Sequence, residues 1–518
     1  MNAQFAAALA VLPEYLGAHV LLSLAAIALG AAASLPLGVL AARNGRLRGP
    51  VLAFASLAQT IPALALVALF YPLLLALSGL TREAFGFATP ALGFLPALLA
   101  LALYAMLPIL RNTVAGLDGV DPAILEAADA VGMTATQKLW RVQLPLAAPV
   151  VMAGLRTAMV WTIGGATLAT PVGQTSLGNY IFSGLQTENW VSVLFGCFAS
   201  AALALIADQL LGLIERGAAR RDGRRIALGA GAFAAAALAA LAPLGAHATG
   251  AYVIGAKNFS EQYILADLIA RELRAHGLAS ARREGLGSAV VYRALAADDI
   301  DAYVDYSGTI WTNVMKRADN PPREKMLDEM KAWLAAHDRV TLFGALGFEN
   351  AYAFAMKKSR AQQLHVATLD DLSRAAPDLV LGADLEFLSR PEWTAAQKAY
   401  ALRFRDARAF NPTFMYRALV DGSVDVISAF SSDGRILADD LVTLADPRGA
   451  LPHYDAILLL APRRAGDQKL RSALEPLIGA IDLDRMRRAN LEVDRDKDKL
   501  TPAEAAARLA DGAGLAKR

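Results

Sequence analysis

The first half of this 518-residue chain is dominated by apolar runs long enough to cross a lipid bilayer. A helix needs roughly 20 mostly apolar residues to span the hydrocarbon core. We therefore predict that this half folds as a helical membrane domain. Six windows reach that length, and all of them lie before residue 248: 19–42, 50–78, 90–110, 147–170, 190–214 and 226–247.

Basic residues give these six windows a single orientation. Lysine and arginine concentrate in three of the connecting loops, 43–48, 111–141 and 216–225, and the two other loops hold only Arg82. Cytoplasmic loops carry the excess of basic residues in membrane proteins. The three basic loops are therefore predicted to be cytoplasmic. The N-terminus and everything after residue 247 then lie on the periplasmic or extracellular side of the inner membrane.

The last window admits two interpretations. It follows the basic run RRDGRR and ends in GAHATG, which is the order of a secretory signal peptide. Because five earlier windows have already set the topology, an uncleaved sixth span is preferred, and later cleavage is the alternative. The predicted domains are 1–225 for the membrane domain, 226–250 for the sixth span and linker, and 251–518 for an extracytoplasmic domain.

Residues 251–518 have the composition of a water-soluble protein. Five apolar runs (DAYVDYS, AYAFAMK, DLVLGAD, VDVISAF and AILLLAP) alternate with helical segments such as REKMLDEMKAWLAAH. This alternation predicts an α/β fold with parallel strands, in which ligands bind beyond the carboxyl ends of the strands. At this length two lobes around a cleft are expected, with the second lobe at roughly 353–445.

Composition excludes several function classes. One cysteine, Cys197, rules out an intramolecular disulfide and a cysteine-based zinc site. A net charge of +2 does not favour a nucleic acid partner. The outer domain has no metal-ligand cluster and no G-x-S-x-G pattern, so it is not predicted to be an enzyme.

A polar segment, EAADAVGMTATQKLWRVQLP, interrupts the membrane half within the cytoplasmic loop at about 112–147. Its first residues favour a helix, Gly132 permits a tight turn, and a second short helix follows that Pro145 ends or redirects. Two short helices joined at a bend would form a rigid knob that another cytoplasmic protein could grip.

The spacing in this segment resembles the EAA loop of ABC importer permeases, whose pattern is EAA-x3-G-x9-I-x-LP. Val142 in place of isoleucine is the one departure. The stretches QTIPALALVALF and PVVMAGLRTA resemble the betaine and choline branch of these permeases. The resemblance implies six residues that couple the membrane domain to an ATPase: Glu126, Ala127, Ala128, Gly132, Leu144 and Pro145.

The same resemblance implies partners for the chain. No Walker A pattern, G-x-x-x-x-G-K-S/T, occurs in the sequence. The family therefore implies a separate cytoplasmic ATPase subunit that holds ATP and Mg, and no cofactor in this chain. Permeases of this type pair two membrane units in the lipid bilayer, so a homodimer is expected.

Aromatic residues recur where the predicted strands of the outer domain end. Electron-rich ring faces attract a cation that cannot donate hydrogen bonds, at about 0.5 to 2 kcal/mol per contact. Ordinary core packing is the alternative for any single ring. Because several rings occupy successive strand ends, we expect a cage for a quaternary ammonium group.

A second resemblance supports the cage. KNFSEQ, DYSGT, GFENAY, YRAL and FSSDGRI resemble the substrate-binding proteins of the glycine betaine, carnitine and choline importers. Phe430 stands where that family usually has tyrosine, and Ser432 where it has threonine. The resemblance implies four cage residues: Tyr306, Tyr352, Tyr416 and Phe430.

A betaine also has a carboxylate, which needs hydrogen-bond donors. Gln262 and Thr309 match the positions on the carboxylate side of the ligand in that family. Thr309 favours zwitterions over choline, since choline-restricted relatives tend to have aspartate there. The other charged residues of these stretches are expected to pair with each other or stay solvated: Lys257, Glu261, Asp433 and Arg435.

Together the two resemblances imply a six-helix ABC importer permease fused to a two-lobed periplasmic-binding-protein domain. The implied function is ATP-driven import of quaternary ammonium solutes such as glycine betaine, carnitine or choline. Two alternatives stay open. Fused chains of this architecture also resemble importers of ergothioneine, another trimethylammonium compound. A ligand-binding membrane receptor or sensor is the second, although the cytoplasmic loops are too short for a signalling domain.

Overall fold

The computed structural model describes residues 3–85, 89, 91–187, 189–242, 251–317, 319–384, 387–410, 412–495 and 497–515. The chain divides into two compact units. The first comprises Met1–Phe182 and Val191–His247, and the second comprises Ser183–Trp190 and Ala248–Arg518. The end of the predicted sixth span and its linker, residues 243–250, lie outside the described residues.

The first unit is helical because alanine and leucine, both strong helix formers, fill its sequence. A π-helical turn, Leu139–Gln143, and a 3₁₀ turn, Thr167–Val172, flank its seventh helix. In the described part of the unit the α-helices are α1 (Ala3–Arg43), α2 (Gly45–Thr60), α3 (Ala63–Phe85), α4 (Phe94–Asp118), α5 (Pro122–Ala130), α6 (Ala135–Lys138), α7 (Leu144–Ala166), α8 (Gly178–Gln186), α9 (Trp190–Ala219) and α10 (Gly223–Leu241).

Among the described residues, five helical segments are long and apolar enough to cross a membrane, and α2 with α3 makes a sixth if that pair is one span. The predicted span over 50–78 is not a single straight helix. α2 and α3 meet at a bend of 102°. Ile61 between them is extended, with a ψ of 128°. A residue before proline avoids the helical region, and Pro62 follows.

α4 lies at the centre of the first unit, with α1 and α7 packed against it. Glycines on both partners permit this close approach. A Cβ atom at Gly30 would lie 3.0 Å from the Ala102 carbonyl oxygen, and one at Gly154 would lie 2.7 Å from that of Pro108. Small residues let helices approach closely in membranes, where packing drives their association. The helix α7, which follows the α4–α7 loop, is thus held against the core of the unit.

The loop between α4 and α7 folds as a helix, a tight turn and a second helix, as its sequence predicted. Asp121 caps α5 by accepting a hydrogen bond from the Ala123 amide. Gly132 takes a φ of +75°, which glycine adopts without strain. Thr134 caps α6 through reciprocal hydrogen bonds with Gln137.

Of the two outcomes predicted for Pro145, ending or redirecting the second helix, the structure excludes the first. The helical run continues from α6 through the π-helical turn into α7, as one apolar segment from Ala135 to Val172. Proline lacks an N–H group and clashes with the carbonyl four residues earlier in a regular helix. Here the Leu144 amide already donates to the Leu139 carbonyl, five residues back. This wider turn accommodates the proline ring.

The second unit contains two five-stranded sheets covered by helices. The strands are β1 (Tyr252–Lys257), β2 (Ser280–Leu286), β3 (Ala302–Tyr306), β4 (Thr341–Glu349), β5 (Tyr352–Lys357), β6 (Val380–Asp384), β7 (Asp406–Phe410), β8 (Val426–Phe430), β9 (Leu441–Thr443) and β10 (Asp455–Leu460). The described helices are α11 (Ser260–Ala275), α12 (Ser288–Ala296), α13 (Ser307–Thr309), α14 (Arg323–His337), α15 (Lys358–Leu364), α16 (Leu369–Ala375), α17 (Pro391–Tyr400), α18 (Pro412–Val420), α19 (Arg435–Ala438), α20 (Gln468–Leu474), α21 (Leu483–Asp494) and α22 (Pro502–Gly512).

All five apolar runs singled out in the sequence form strands, namely β3, β5, β6, β8 and β10. The sheet orders are β2-β1-β3-β10-β4 and β7-β6-β8-β5-β9. The predicted parallel arrangement is only partly correct. β10 is antiparallel to both of its neighbours in the first sheet, and β5 is antiparallel to both of its neighbours in the second. β5 and β10 are the first strands after the chain crosses from one sheet to the other. They therefore run in the opposite direction to the parallel strands of the sheet that they join.

The two sheets define two lobes connected by two crossings of the chain. β4 leads into β5 through residues 350–351, and β9 leads into β10 through residues 444–454. The second sheet therefore lies between Tyr352 and Thr443. The second lobe was predicted at roughly 353–445. Short double connections of this kind are typical of hinges that let two lobes close around a ligand.

Candidate ligand-binding site

A cavity of about 250 Å³ lies between the two lobes of the second unit. Its lining comes from strand ends and from the helices that follow them, as expected for an α/β fold. The first lobe contributes the β1–α11 junction, the end of β3 and part of α21. The second lobe contributes the start of β5, the end of β8 and the residues that follow β6. Both lobes thus supply walls of one cavity.

Five aromatic rings of the described residues line this cavity: Phe259, Tyr306, Tyr352, Phe430 and Tyr454. Tyr352 lies 5.0 Å from Phe430 between ring centroids, and 5.7 Å from Tyr454 at a nearly perpendicular angle. Phe259 stacks on Tyr306 at 6.2 Å. Phe259 and Tyr454 were not among the predicted site residues. Phe259 could have been found, because it lies inside the KNFSEQ stretch that resembles the binding-protein family.

Four of the six predicted ligand-binding residues line the cavity: Tyr306, Thr309, Tyr352 and Phe430. Tyr416 does not. Its buried ring packs in the core of the second lobe, the Arg435 guanidinium covers it at 4.0 Å, and its hydroxyl accepts a hydrogen bond from the Phe430 amide. The structure therefore places Tyr416 behind the cavity wall.

Gln262 also lies behind the wall. It is buried, its amide nitrogen donates to the Tyr306 hydroxyl at 3.0 Å, and its carbonyl accepts from the Lys257 amide at 3.3 Å. These two contacts hold the Tyr306 ring at the end of β3. Gln262 therefore orients a wall residue and lies outside the lining itself.

Glu261 is the centre of the polar part of the site. Its carboxylate is buried and accepts four hydrogen bonds. The Asn350 amide donates at 3.1 Å, the Asn490 amide at 2.8 Å and the Ser432 hydroxyl at 2.5 Å, and the Tyr306 hydroxyl donates as well. Burial raises the pKa of the Glu261 carboxyl, and the four donors oppose that shift. One acid thus links both lobes and the crossing segment at residue 350.

The basic residues of the lining are paired within the protein. Lys257 forms a buried ion pair with Asp305, and its ammonium lies 5.1 Å from the centroid of the Tyr306 ring. The Arg390 guanidinium contacts Glu392 at 2.9 Å and lies 5.3 Å from the Tyr352 centroid. One face of the Tyr306 ring is therefore in contact with the Lys257 ammonium, and one face of the Tyr352 ring with the Arg390 guanidinium. A bound cation would use the ring surface that remains toward the cavity.

Among the residues that the structure describes, the lining holds four acidic side chains and three basic ones. The acids are Glu261, Asp384, Asp433 and Asp494, and Arg435 pairs with Asp433 at 2.7 Å. Asp494 accepts a hydrogen bond from Ser260 at 2.5 Å, and burial raises the pKa of its carboxyl to about 6. An excess of negative charge inside an aromatic-walled cavity favours a positively charged ligand group.

The first unit presents a second candidate site on the loop between α4 and α7. Three large apolar side chains of α5, the tight turn and the π-helical turn are exposed: Ile124 at 42%, Val131 at 73% and Trp140 at 66%. Of the residues implied in coupling, Glu126, Ala127, Gly132 and Pro145 are exposed, Leu144 is half-buried and Ala128 is buried. Asp129 and Lys138 form an ion pair that joins α5 to α6. An exposed apolar surface on a rigid loop is typical of a protein contact.

Two protein families match the chain. The family described as the substrate binding domain of ABC-type glycine betaine transport system matches residues 250–510. The family described as the binding-protein-dependent transport system inner membrane component matches residues 34–220. The boundary between the two matches coincides with the boundary between the two structural units.

Individual relatives span one or both parts. The ergothioneine transport permease/ergothioneine binding protein EgtU of Helicobacter pylori (strain G27) is 29% identical over 478 residues, which cover 88% of this chain and 83% of that protein. The glycine betaine/carnitine/choline transport system permease protein OpuCB of Bacillus subtilis (strain 168) is 39% identical over 200 residues, covering 39% of this chain and 85% of that protein. A crystal structure of a glycine betaine/carnitine/choline ABC transporter covers 51% of this chain and 99% of its own, with 28% identity and a TM-score of 0.46.

Proposed function

This chain belongs to the ABC-type glycine betaine transport family and carries the inner-membrane component and the substrate-binding domain in one polypeptide. From that premise we propose that it imports a small trimethylammonium solute by using ATP hydrolysed on a separate subunit. It is a multi-pass protein of the inner membrane and a transporter component.

The lining of the cavity carries this proposal. A trimethylammonium group is a permanent cation that cannot donate a hydrogen bond, so it gains little from ordinary polar sites. Aromatic rings and nearby carboxylates attract it without requiring a donor. The cavity combines five rings with an excess of acidic side chains, which is the chemistry such a group needs.

The assembly follows from the arrangement of the chain. The exposed apolar residues of the cytoplasmic loop form a surface to which an ATPase subunit could bind. ATP and Mg would be bound by that subunit. A second copy of this chain would complete the membrane pathway. The basic loops support an orientation with the N-terminus and the binding domain outside the cytoplasm, because cytoplasmic loops carry the excess of basic residues. Fusion of the two domains then raises the local concentration of binding domain at the membrane into the mM range.

A specific observation favours ergothioneine, the second candidate solute. Among the described residues, the buried amide oxygens of Asn350 and Asn490 accept no hydrogen bond, and both residues line the cavity. A buried acceptor without a donor costs about 1 to 3 kcal/mol. Glycine betaine has no N–H or O–H group to offer, whereas ergothioneine adds an imidazole ring with N–H donors to its trimethylammonium group. The similarity to the EgtU protein points the same way.

The test of the proposed function is calorimetric titration of the full chain in lipid nanodiscs with glycine betaine, carnitine, choline and ergothioneine. We expect tight binding of at least one of them. ATP-dependent uptake of the same solute by proteoliposomes containing the chain and its ATPase subunit would establish import. A chain that binds none of the four solutes would contradict the trimethylammonium assignment.

Asn490→Ala is expected to lower the affinity for ergothioneine about tenfold relative to the affinity for glycine betaine, because it removes one acceptor for the ring N–H groups and glycine betaine has no such donor. The ratio of the two dissociation constants is the measurement, since a general disturbance of Glu261 would weaken both ligands equally. An unchanged ratio would refute the role of the asparagine oxygens in recognising ring donors.

Ligand affinity is expected to fall as the pH is lowered through about 6. The Asp494 carboxyl, with its pKa raised to about 6, is ionised at pH 7.5 and neutral at pH 5, so the cavity loses one negative charge between them. The trimethylammonium charge is permanent and does not change over this range. Titrations between pH 5 and 7.5 should therefore show a rising dissociation constant toward low pH. Asp494→Asn should flatten that dependence, and a profile identical to the wild type would contradict the assignment.

A further inference from the structure

Three charged, partly buried side chains of α7 and α9 meet in the membrane unit. Arg156 of α7 contacts Asp208 of α9 through two parallel hydrogen bonds, Nε to Oδ1 at 3.0 Å and Nη2 to Oδ2 at 2.9 Å. Its third nitrogen, Nη1, contacts Glu215 of α9 at 2.5 Å. All three nitrogens of the guanidinium are thus used by one neighbouring helix. The two-fold contact with Asp208 also fixes the plane of the group.

The surface of α9 is shaped to receive this guanidinium. Asp208 and Glu215 are seven residues apart, which places them two turns apart on one face of the helix. Gly212 lies between them, and a Cβ atom at that position would lie 3.2 Å from Arg156 Cζ. The guanidinium therefore lies over a glycine between two acids. We call Arg156, Asp208, Glu215 and Gly212 the Arg156 clamp.

Holding two membrane helices together by charged side chains is energetically unfavourable compared with apolar packing. A charged residue within a spanning helix makes insertion of that helix into the membrane less favourable. Between 24% and 29% of each of the three side chains is exposed, and ion pairs that are not fully buried add little to stability. Stability alone does not explain three charges here. What the ion pairs add is a fixed orientation of one helix on the other.

The position of Arg156 gives that orientation a use. α7 continues directly from the α6 and π-helical part of the cytoplasmic loop, so a displacement of the loop moves α7 along with it. Arg156 lies twelve residues after Leu144, about 18 Å along the helix. It is the point at which α7 is tied by charge to α9. We propose that Arg156 is a positioning residue that makes α7 and α9 move as one body when the cytoplasmic loop is displaced. This inference rests on the proposed function, in which an ATPase displaces the loop.

The experiment compares solute transported per ATP hydrolysed in proteoliposomes that contain the full chain and its ATPase subunit. The main variant is Arg156→Met with Asp208→Leu and Glu215→Met, which removes all three charges and keeps apolar volume at the helix contact. We expect ATP hydrolysis and ligand binding to persist and the transport per ATP to fall at least tenfold. The exchange Arg156→Asp with Asp208→Arg restores an ion pair and is expected to recover part of the coupling.

A pair of glycine variants tests the clamp without changing any charge. Gly212→Ala adds a methyl group against the guanidinium and is expected to lower the transport per ATP about threefold, equivalent to less than 1 kcal/mol. Gly164→Ala is its matched control, because a Cβ atom at Gly164 of α7 meets nothing within 4 Å. This variant is expected to behave as the wild type. The glycine pair also decides the question if the triple variant does not fold.

The outcomes separate this inference from the proposed function. A folded triple variant with wild-type transport per ATP would overturn the clamp and leave the importer intact. Equal transport by Gly212→Ala and Gly164→Ala would overturn it as well. If the wild-type chain itself shows no ATP-dependent uptake of the four solutes, the proposed function fails, and the role of the clamp fails with it.

Discussion

Tyr306→Ala is expected to raise the Kd for the trimethylammonium solute by about 30-fold, which corresponds to about 2 kcal/mol. The Tyr306 ring is buried at the end of β3, lines the cavity and stacks on Phe259. A cation gains most from a ring where water is excluded. Titration of the full chain in nanodiscs measures the change in Kd. An affinity within a few-fold of the wild type would contradict the assignment of Tyr306 to the cage.

Two further variants separate the ring of Tyr306 from its hydroxyl and from its neighbours. Tyr306→Phe keeps the ring and removes one of the four donors to Glu261, so a loss of about fivefold is expected. Tyr416→Leu removes a ring that the family resemblance assigns to the cage but that the structure places behind Arg435. Its Tm should fall while its Kd stays close to that of the wild type. Equal loss of binding in Tyr416→Leu and Tyr306→Ala would show that both rings touch the ligand.

The sequence predicted the fold well wherever one local signal decides the structure. Length and hydropathy identify the membrane helices, and β-rich runs identify the strands of the second unit. The errors arise where the signal is not local. The antiparallel direction of β10 depends on the route by which the chain returns from the second lobe. The sequence of β10 itself, AILLLAP, does not indicate that route. The break at Pro62 is different, because the residue before a proline disfavours a helix and the sequence itself held that signal.

The candidate site shows the same division. Strand ends could be read from the sequence, so Tyr306 and Tyr352 could be placed at the cleft. Glu261 was expected to pair with another charged residue or to stay solvated, but it is buried and its donors are uncharged. Its donors Asn350, Ser432 and Asn490 lie 89, 171 and 229 residues away, and only the folded chain brings them together. Whether a ring faces the cavity or the core likewise depends on distant side chains, as Arg435 shows for Tyr416.

Val131→Asp is expected to reduce ATP-driven uptake at least tenfold while leaving the Kd of the solute unchanged. Val131 is 73% exposed beside the tight turn at Gly132, where the structure brings the ends of α5 and α6 together. A contact surface in an ATPase groove would bury this side chain, and a charge buried there without a partner costs more than the 1.4 kcal/mol that a tenfold loss requires. The loop itself should fold normally, since an exposed position tolerates aspartate.

The matched control is Val420→Asp, which makes the same change at a valine that is 43% exposed in the second unit and does not line the cavity. Uptake by this variant should equal that of the wild type. Co-purification of the ATPase subunit with each variant locates the defect: the subunit should be lost from Val131→Asp and kept by Val420→Asp. If Val131→Asp keeps both the subunit and full uptake, the exposed apolar residues of the loop do not form the docking surface. Coupling would then have to depend on the polar residues of the EAA segment, of which Glu126 is exposed on α5.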